Sequence, residues 1–427
     1  MGDMEEMMKI SLPKGTKDIL PEEMKKWNYV ERAFSTALRN AGYGEIRIPV
    51  FEYTELFNRG VGDTTDIVQK EMYTFTDKGN RSLTLRPEGT AGVVRSYIDK
   101  GMSSMPQPVK LFYNITAYRY ENVQKGRYRE FNQLGAEVFG VEKPNADIEI
   151  ISVLGIFFTS IGIGNLSLEL NSIGCKTCRP TYNEKLKEYY KDKIDGMCDD
   201  CKRRYETNPL RLIDCKKENC KAASKDVPYI TDNLCEECSV HFAGVKNGLN
   251  KMDIKYTVNK GIVRGLDYYT KTVFEFVSEN VGTQGTICGG GRYDGLVEAL
   301  GGKDVPGIGF SMGTERLLME MDSRGIGFGE ERRPEIYFVT IGDNAYAYAR
   351  KLSCALRRAG IYTEMDLLGR SVKAQMKDAN RKNALYTVVI GEDEISQNKA
   401  VITIMDTGDK REVSLDSIYK RIIEKKV

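Results

Sequence analysis

Histidine is nearly missing from this chain: one residue, His241, in 427. That count excludes metal centres ligated by several histidines. The phosphate-binding loop Gly-x-x-x-x-Gly-Lys-Ser/Thr is also absent, so any nucleotide must be held by arginines and acids instead. No apolar run approaches the roughly 18 residues of a membrane span, and Met1–Lys14 lacks the apolar stretch of a signal peptide. A cytoplasmic protein with no membrane partner is expected. Net charge is only +2, so a polyanionic partner has to be met by local basic patches rather than by a global field.

What is present is an ordinary globular composition, 41% hydrophobic and 29% charged, at a length that predicts two or three domains. In the first 171 residues helix and strand patterns mix: Glu22–Asn40 reads as an amphipathic helix opened by Pro21, followed by a strand over Glu45–Val50. Residues 172–255 carry many charges and eight of the ten cysteines. Residues 256–324 return to strands, with a glycine cluster at Gly289–Gly291 and a helix from Gly313. Gly325–Pro334 reads as a linker. In 335–427, short strands at Ile336–Gly342, Leu385–Gly391 and Ala400–Met405 alternate with helices at Ala345–Ala359 and Val372–Lys382, which predicts a small α/β domain.

Two segments carry chemistry. In Arg264-Gly-Leu-Asp-Tyr-Tyr-Thr-Lys-Thr-Val-Phe-Glu275, an arginine, an acid and two tyrosines stand at the entrance of an alternating apolar strand. A strand that only packs a core has no use for them, whereas a site holding a small zwitterion does. In Tyr118–Phe139, two strands flank a loop over Asn122–Gly126. The period of 2 places Phe131, Gln133, Gly135, Glu137 and Phe139 on one face and apolar Leu134, Ala136 and Val138 on the other. The polar face has a gap at Gly135 where a ligand could lie. Arg119, Arg127 and Arg129 add guanidinium forks suited to phosphate oxygens.

The cysteines fall in four pairs: Cys175/Cys178, Cys198/Cys201, Cys215/Cys220 and Cys235/Cys238. Two such pairs make one closed tetrahedral thiolate site, so eight cysteines suit two structural Zn²⁺ ions. The spacing does not say which pairs share an ion. The basic run Lys202–Arg204 in the same region suits RNA contact. Further on, Arg370, Lys373, Lys377 and Arg381 recur at intervals of 3, 4 and 4, a basic stripe along one helix face that suits a phosphate backbone.

Taken in order, these segments resemble those of histidyl-tRNA synthetases. The hairpin resembles motif 2 of class II aminoacyl-tRNA synthetases, and Gly309-Phe-Ser-Met-Gly-Thr-Glu-Arg316 resembles motif 3. The helix and strand ending at Pro49 resemble motif 1, which in the family builds a dimer interface. Arg264–Thr270, Leu85-Arg-Pro-Glu-Gly-Thr90 and Gly290-Gly-Arg-Tyr293-Asp-Gly resemble further blocks of the histidine enzymes. The resemblance implies an α+β fold: an antiparallel sheet flanked by helices, a cysteine-rich insertion, and a C-terminal α/β anticodon-binding domain. It implies histidine, ATP with Mg²⁺, and tRNA as substrates and partners, in a homodimer.

Residue roles follow from the resemblance. Arg119 and Arg264 are expected at the α-phosphate, with Arg119, Glu121, Arg127 and Arg316 binding ATP. Glu88, Thr90 and Gln133 are expected to take the substrate ammonium. Glu137 and Tyr269 are expected to grip the imidazole nitrogens, with Tyr268 and Tyr293 lining the pocket. Gln124 and Arg129 are expected to read the end of the tRNA acceptor stem, and the basic stripe to meet RNA. Asn122–Val123 departs from the family, which usually has Arg-Pro there, and Asn132 stands where many members have His. Asn132 falls on the apolar-facing side and is not expected to touch substrate. Two other readings use the same fold: a regulatory subunit of ATP phosphoribosyltransferase, and a zinc-knuckle RNA-binding protein without an intact histidine pocket. The first typically lacks the C-terminal domain and erodes the arginines; both are retained here.

Overall fold

A computed structural model describes residues 10–280, 285–329 and 332–424. The first nine residues of the Met1–Lys14 stretch, and Glu330 and Glu331 of the expected linker, lie outside the described residues. The chain forms two compact units, 1–328 and 329–427.

The first unit is built on an eight-stranded sheet. Six central strands run antiparallel in the spatial order Val109–Tyr118, Glu130–Phe139, Gly307–Gly313, Thr286–Arg292, Thr270–Val277, Ser167–Ser172. A short parallel strand closes each edge, Gly44–Glu45 and Thr257–Val258. The pleat divides the two faces. Leu134, Ala136, Val138, Ile308, Phe310, Met312, Phe274 and Phe276 point into the main core. Helices Pro21–Asn40 and Asn145–Ser160 cover that face, the first through Trp27, Val30, Phe34 and Leu38 at helical spacing. The opposite face is left for the site. A separate three-stranded sheet, Phe51–Tyr53, Thr74–Thr76 and Ser82–Leu85, stands beside it.

The strand expected over Glu45–Val50 is shorter than its sequence pattern. Only Gly44–Glu45 joins the ladder. The guanidinium of Arg86 takes the carbonyls of Ile48 and Pro49 at 2.6 and 3.0 Å and that of Thr116 at 2.7 Å, so these oxygens pair with a side chain instead of a neighbouring strand. Of the expected linker, Ile326 and Phe328 pack against the main core of the first unit.

The cysteine-rich segment is mostly helical: Cys178–Tyr190, Asp199–Thr207, Glu218–Ala223 and Glu236–Lys251. Its apolar residues Tyr182, Leu186, Leu210 and Leu212 share a cluster with Ile262, Val263, Tyr269 and Val273, so it is continuous with the edge of the site. His241 stands in the last of these helices, buried, 3.2 Å from Asp147 Oδ1. Asp147 also accepts from the fully buried Arg292, which further donates to the carbonyls of Val141 and Lys143. Burial pushes the Asp147 carboxyl up, but His241 and Arg292 outweigh it and hold it below the usual carboxylate range.

In the second unit a five-stranded sheet has the order Thr363–Met365, Ile336–Thr340, Tyr386–Ile390, Lys399–Ile404, Lys410–Ser414. The first three are parallel and the last two antiparallel. Helices Asp343–Arg358 and Val372–Arg381 match the expected pattern; two strands, Thr363–Met365 and Lys410–Ser414, carry no clear signal. The second of these is a charged edge strand with one buried residue, Val413, which is why its sequence does not alternate.

Candidate active site

A cavity of about 530 Å³ opens on the free face of the large sheet. Glu88, Arg119, Glu121, Arg127, Gln133, Arg264, Tyr269 and Arg316 all line it, brought together from four separate stretches of sequence. The sheet makes room for them with small residues. A Cβ at Gly289 would stand 2.5 Å from the Arg264 guanidinium, and one at Gly291 would meet Tyr269 at 3.0 Å.

Positive charge is concentrated at one end. Arg119 donates to the Pro87 carbonyl at 2.8 Å and sits 5.3 Å from the centre of the Phe131 ring. Arg127 and Arg119 share Glu121 at 3.3 and 3.7 Å. Arg316, at the start of helix Thr314–Ser323, reaches the Gly126 carbonyl at 3.3 Å. Burial lowers the proton affinity of Arg316, and the neighbouring Arg127 and Arg119 lower it further. Such crowding of cations is relieved by an anion. Arg264 pairs with Glu275, whose other oxygen accepts from the Thr286 hydroxyl at 2.7 Å.

At the other end lies a layer of buried acceptors. Glu88 receives the backbone amides of Thr90 and Ala91 at 2.7 and 2.8 Å, at the start of helix Thr90–Asp99. Gln133 accepts from the Gly89 amide at 2.9 Å. Glu137, with 0% exposure, accepts from Thr90 at 2.8 Å, Tyr113 at 3.2 Å and Tyr293 at 2.7 Å. Burial pushes Glu137 up to about 8 and Glu88 above its ordinary value, in spite of these donors.

The geometry differs from the expected one in several respects. Thr90, Glu137 and Tyr293 stand behind the cavity wall, hydrogen-bonded to one another. Tyr268 lines a second, smaller cavity of about 220 Å³ with Lys176 and Arg179. The gap at Gly135 is not open: Tyr113, its cross-strand partner, lies over it, and a Cβ there would come within 2.4 Å of the ring. Tyr113, Glu275, Thr286 and Lys216 escaped the sequence reading. For Tyr113 the one usable signal was a large aromatic opposite a glycine on the adjoining strand.

Outside the cavity, Gln124 is exposed and bridges Arg127 through its backbone. Arg129 stacks on Tyr120 at 3.8 Å, with its amide bonded to the Gly15 carbonyl. Asn132 bonds Glu315 and Thr116, and is not among the residues lining the cavity. Arg203 and Arg204 turn inward to Asp66, at 3.6 and 2.8 Å, which leaves Lys202 as the exposed member of that basic run. On helix Val372–Arg381 the stripe is divided as well. Lys373 and Lys377 are exposed, whereas Arg370 is held by Asp366 and Asp378, and Arg381 also pairs with Asp378.

The cysteines gather into two groups, Cys175/Cys178/Cys235/Cys238 and Cys198/Cys201/Cys215/Cys220, with the sulfurs of each group within 4.8 Å of one another. The first and last sequence pairs thus enclose the middle two. Individual separations are 3.7 Å for Cys175–Cys178, 3.8 Å for Cys175–Cys235 and 3.8 Å for Cys198–Cys215. Four sulfurs about 2.3 Å from a tetrahedral Zn²⁺ lie about 3.8 Å apart, whereas a disulfide needs about 2.05 Å. Backbone amides donate to three of the sulfurs, Cys235 to Cys178 at 3.1 Å, Thr177 to Cys175 at 3.3 Å and Cys198 to Cys220 at 3.3 Å. Both groups can hold a metal ion.

Comparison with known proteins places this arrangement. The histidyl-tRNA synthetase family model matches residues 15–177 and 207–317, and an anticodon binding domain model matches 335–425. The chain belongs to the histidyl-tRNA synthetase family. A histidine–tRNA ligase of Acetivibrio thermocellus is 60% identical over 410 residues, 96% of this chain and 98% of that one. One of Caldanaerobacter subterraneus is 49% identical over the same shares. The apo structure of S. aureus histidyl-tRNA synthetase superposes with a TM-score of 0.84 at 42% identity, covering 97% of this chain and all of the other. The family fold is therefore the α+β architecture described above, with its antiparallel-rich sheet and C-terminal anticodon-binding domain. The family model leaves out 178–206, the part of the insertion that carries Cys178, Cys198 and Cys201.

Proposed function

We propose that this chain is an ATP-dependent histidine–tRNA ligase that works in two steps at the cavity on the large sheet. In the first, a carboxylate oxygen of histidine attacks the α-phosphorus of ATP. The new O–P bond forms as the bond to pyrophosphate breaks, giving histidyl-adenylate. In the second, a hydroxyl at the 3′ end of the tRNA attacks the acyl carbon and AMP leaves. The observation that supports this most directly is the pairing of an arginine-rich end, Arg119, Arg127, Arg264 and Arg316, with a buried acceptor layer in one cavity.

In this reading Arg119 and Arg264 flank the α-phosphate and stabilise the charge that gathers on it, where positioning and electrostatics do most of the work. Arg316 and Arg127 hold the rest of the triphosphate. Mg²⁺ fits beside them: the Glu121 carboxylate offers hard oxygen donors next to Arg127 and Arg119, and a cation there would neutralise phosphate charge. Glu88 and Gln133, each with a lone pair still available after its backbone bonds, take the ammonium. Glu137 and Tyr269 bracket the imidazole. To reach Glu137 the ring replaces one of the hydroxyls now bonded to it. A carboxyl near pKa 8 and an imidazole near 6.5 share one proton across neutral pH, and apolar rings of similar size cannot replace that interaction.

The two cysteine groups hold Zn²⁺ as structural ions, with no open coordination position. Lys373, Lys377 and Arg381 face RNA, while Gln124 and Arg129 lie at the mouth of the hairpin loop for the acceptor end. We place the enzyme in the cytoplasm, where thiols stay reduced, and read it as a homodimer through the segment ending at Pro49. No described helix is long and apolar enough to cross a membrane.

The test is ATP–pyrophosphate exchange with each of the twenty amino acids. Exchange with histidine alone is expected. Histidine binding without exchange would instead favour a regulatory, non-activating relative.

A further inference from the structure

One cation lining the cavity comes from none of the segments that carry the four arginines. Lys216 belongs to the cysteine-rich insertion, directly after Cys215 of the second cysteine group. Its side chain is 81% exposed, with a single salt bridge, to Asp214 at 3.0 Å. The stretch before it is fixed to the active-site loop by two bonds: Arg211 donates to the Gly265 carbonyl at 3.0 Å, and Asn208 donates to Asp267 at 2.8 Å. A flexible cationic arm is thus mounted on a rigid base at the rim of the site.

Charge arithmetic gives the arm a purpose. Apart from Lys216, the cavity is lined by four arginines and four carboxylates, Glu88, Glu121, Glu275 and Glu315, which balance one for one. Three of the arginines are within ion-pair distance of a carboxylate, Arg264 of Glu275 and both Arg127 and Arg119 of Glu121. Summed over the whole lining, the formal charge that a polyanion meets from these groups is close to zero. Lys216 is the cation that tips the balance, and an ammonium on a four-carbon stem can follow a phosphate that moves.

We propose that Lys216 binds a phosphate oxyanion of the substrate, that of the ATP triphosphate tail, and so makes the insertion a contributor to histidine activation. This rests on the reading of the cavity as the site of adenylate formation. The metal-binding group next to it acts only as a mount; it holds Cys215, and with it the start of the arm.

The experiment compares wild type, Lys216→Ala and Lys216→Arg in pyrophosphate exchange, and then in single-turnover transfer from preformed adenylate to tRNA. Wild-type exchange with histidine tests the functional reading by itself. For Lys216→Ala, KM for ATP is expected to rise about tenfold, the loss of one charge-assisted hydrogen bond, with KM for histidine unchanged. Lys216→Arg is expected to restore most of the loss. Melting temperature and bound metal, measured on all three proteins, are expected to stay the same. The proposal is overturned if KM for ATP in Lys216→Ala stays within about twofold of wild type. It is equally overturned if only the transfer step slows, since the phosphate would then belong to the tRNA end.

Discussion

The active-site layer and the cysteine groups both withdraw reactive side chains from water, and they are stabilised in opposite ways. In the layer, the protein answers itself: Glu88 by backbone amides, Gln133 by Gly89, Glu137 by three hydroxyls. In each cysteine group four sulfurs face one another within 4.8 Å, an arrangement that a shared cation would stabilise. The first arrangement can lose and regain a guest without collapsing. The second is suited to a permanent occupant. Satisfied polar groups define a place for substrate; mutually repelling ones define a place for a metal.

Breaking the second arrangement has the larger expected effect. Stripping metal with a chelator, or Cys201→Ser, removes binding energy on the order of 10 kcal/mol per ion and is expected to unfold the segment around Cys175–Cys238. Loss of helical circular dichroism alongside metal release is the readout; unchanged helicity after complete release would refute the structural role. Next comes the arginine end of the cavity. Arg119→Ala is expected to slow pyrophosphate exchange about 10³-fold while histidine still binds, as read by calorimetry.

A third test sharpens the comparison by titrating the self-satisfied layer. With Glu137 at about 8 and free histidine near 6.5, kcat/KM for histidine is expected to be bell-shaped with limbs near those values. Glu137→Gln is expected to lose the alkaline limb. The same shift has a sign in stability. A folded-state pKa raised above the unfolded one favours folding at low pH, and that contribution disappears as pH climbs through about 8. Glu137→Gln is therefore expected to melt closer to, or above, wild type at pH 9 than at pH 6. The smallest effect is expected in the second unit: Lys373→Ala with Lys377→Ala is expected to flatten the log–log salt dependence of tRNA binding by about 1.5 to 2 units, with exchange unaffected.

The sequence showed which face of the hairpin was polar, because a period of 2 needs no knowledge of neighbours. It could not show that Tyr113 fills the space at Gly135, because that depends on the cross-strand register. The same limit explains the basic residues. Spacing puts Arg370, Lys373, Lys377 and Arg381 on one helix face, but Arg370 lies in the loop before the helix, where Asp366 and Asp378 together hold it. Arg203 and Arg204 are likewise claimed by Asp66, more than 130 positions away. Cysteine spacing announced metal sites but not their nested pairing, which follows from the helices between them. The curtailed strand near Pro49 came from Arg86, a side chain that no local pattern could have placed there.

The lone buried His241, locked between its helix and Asp147, has a practical consequence. The protein contributes a single imidazole, so a nitrogen NMR spectrum contains one resonance pair from the enzyme. Isotope-labelled substrate would stand apart from it, letting the tautomer and protonation of bound histidine be followed directly through activation and transfer.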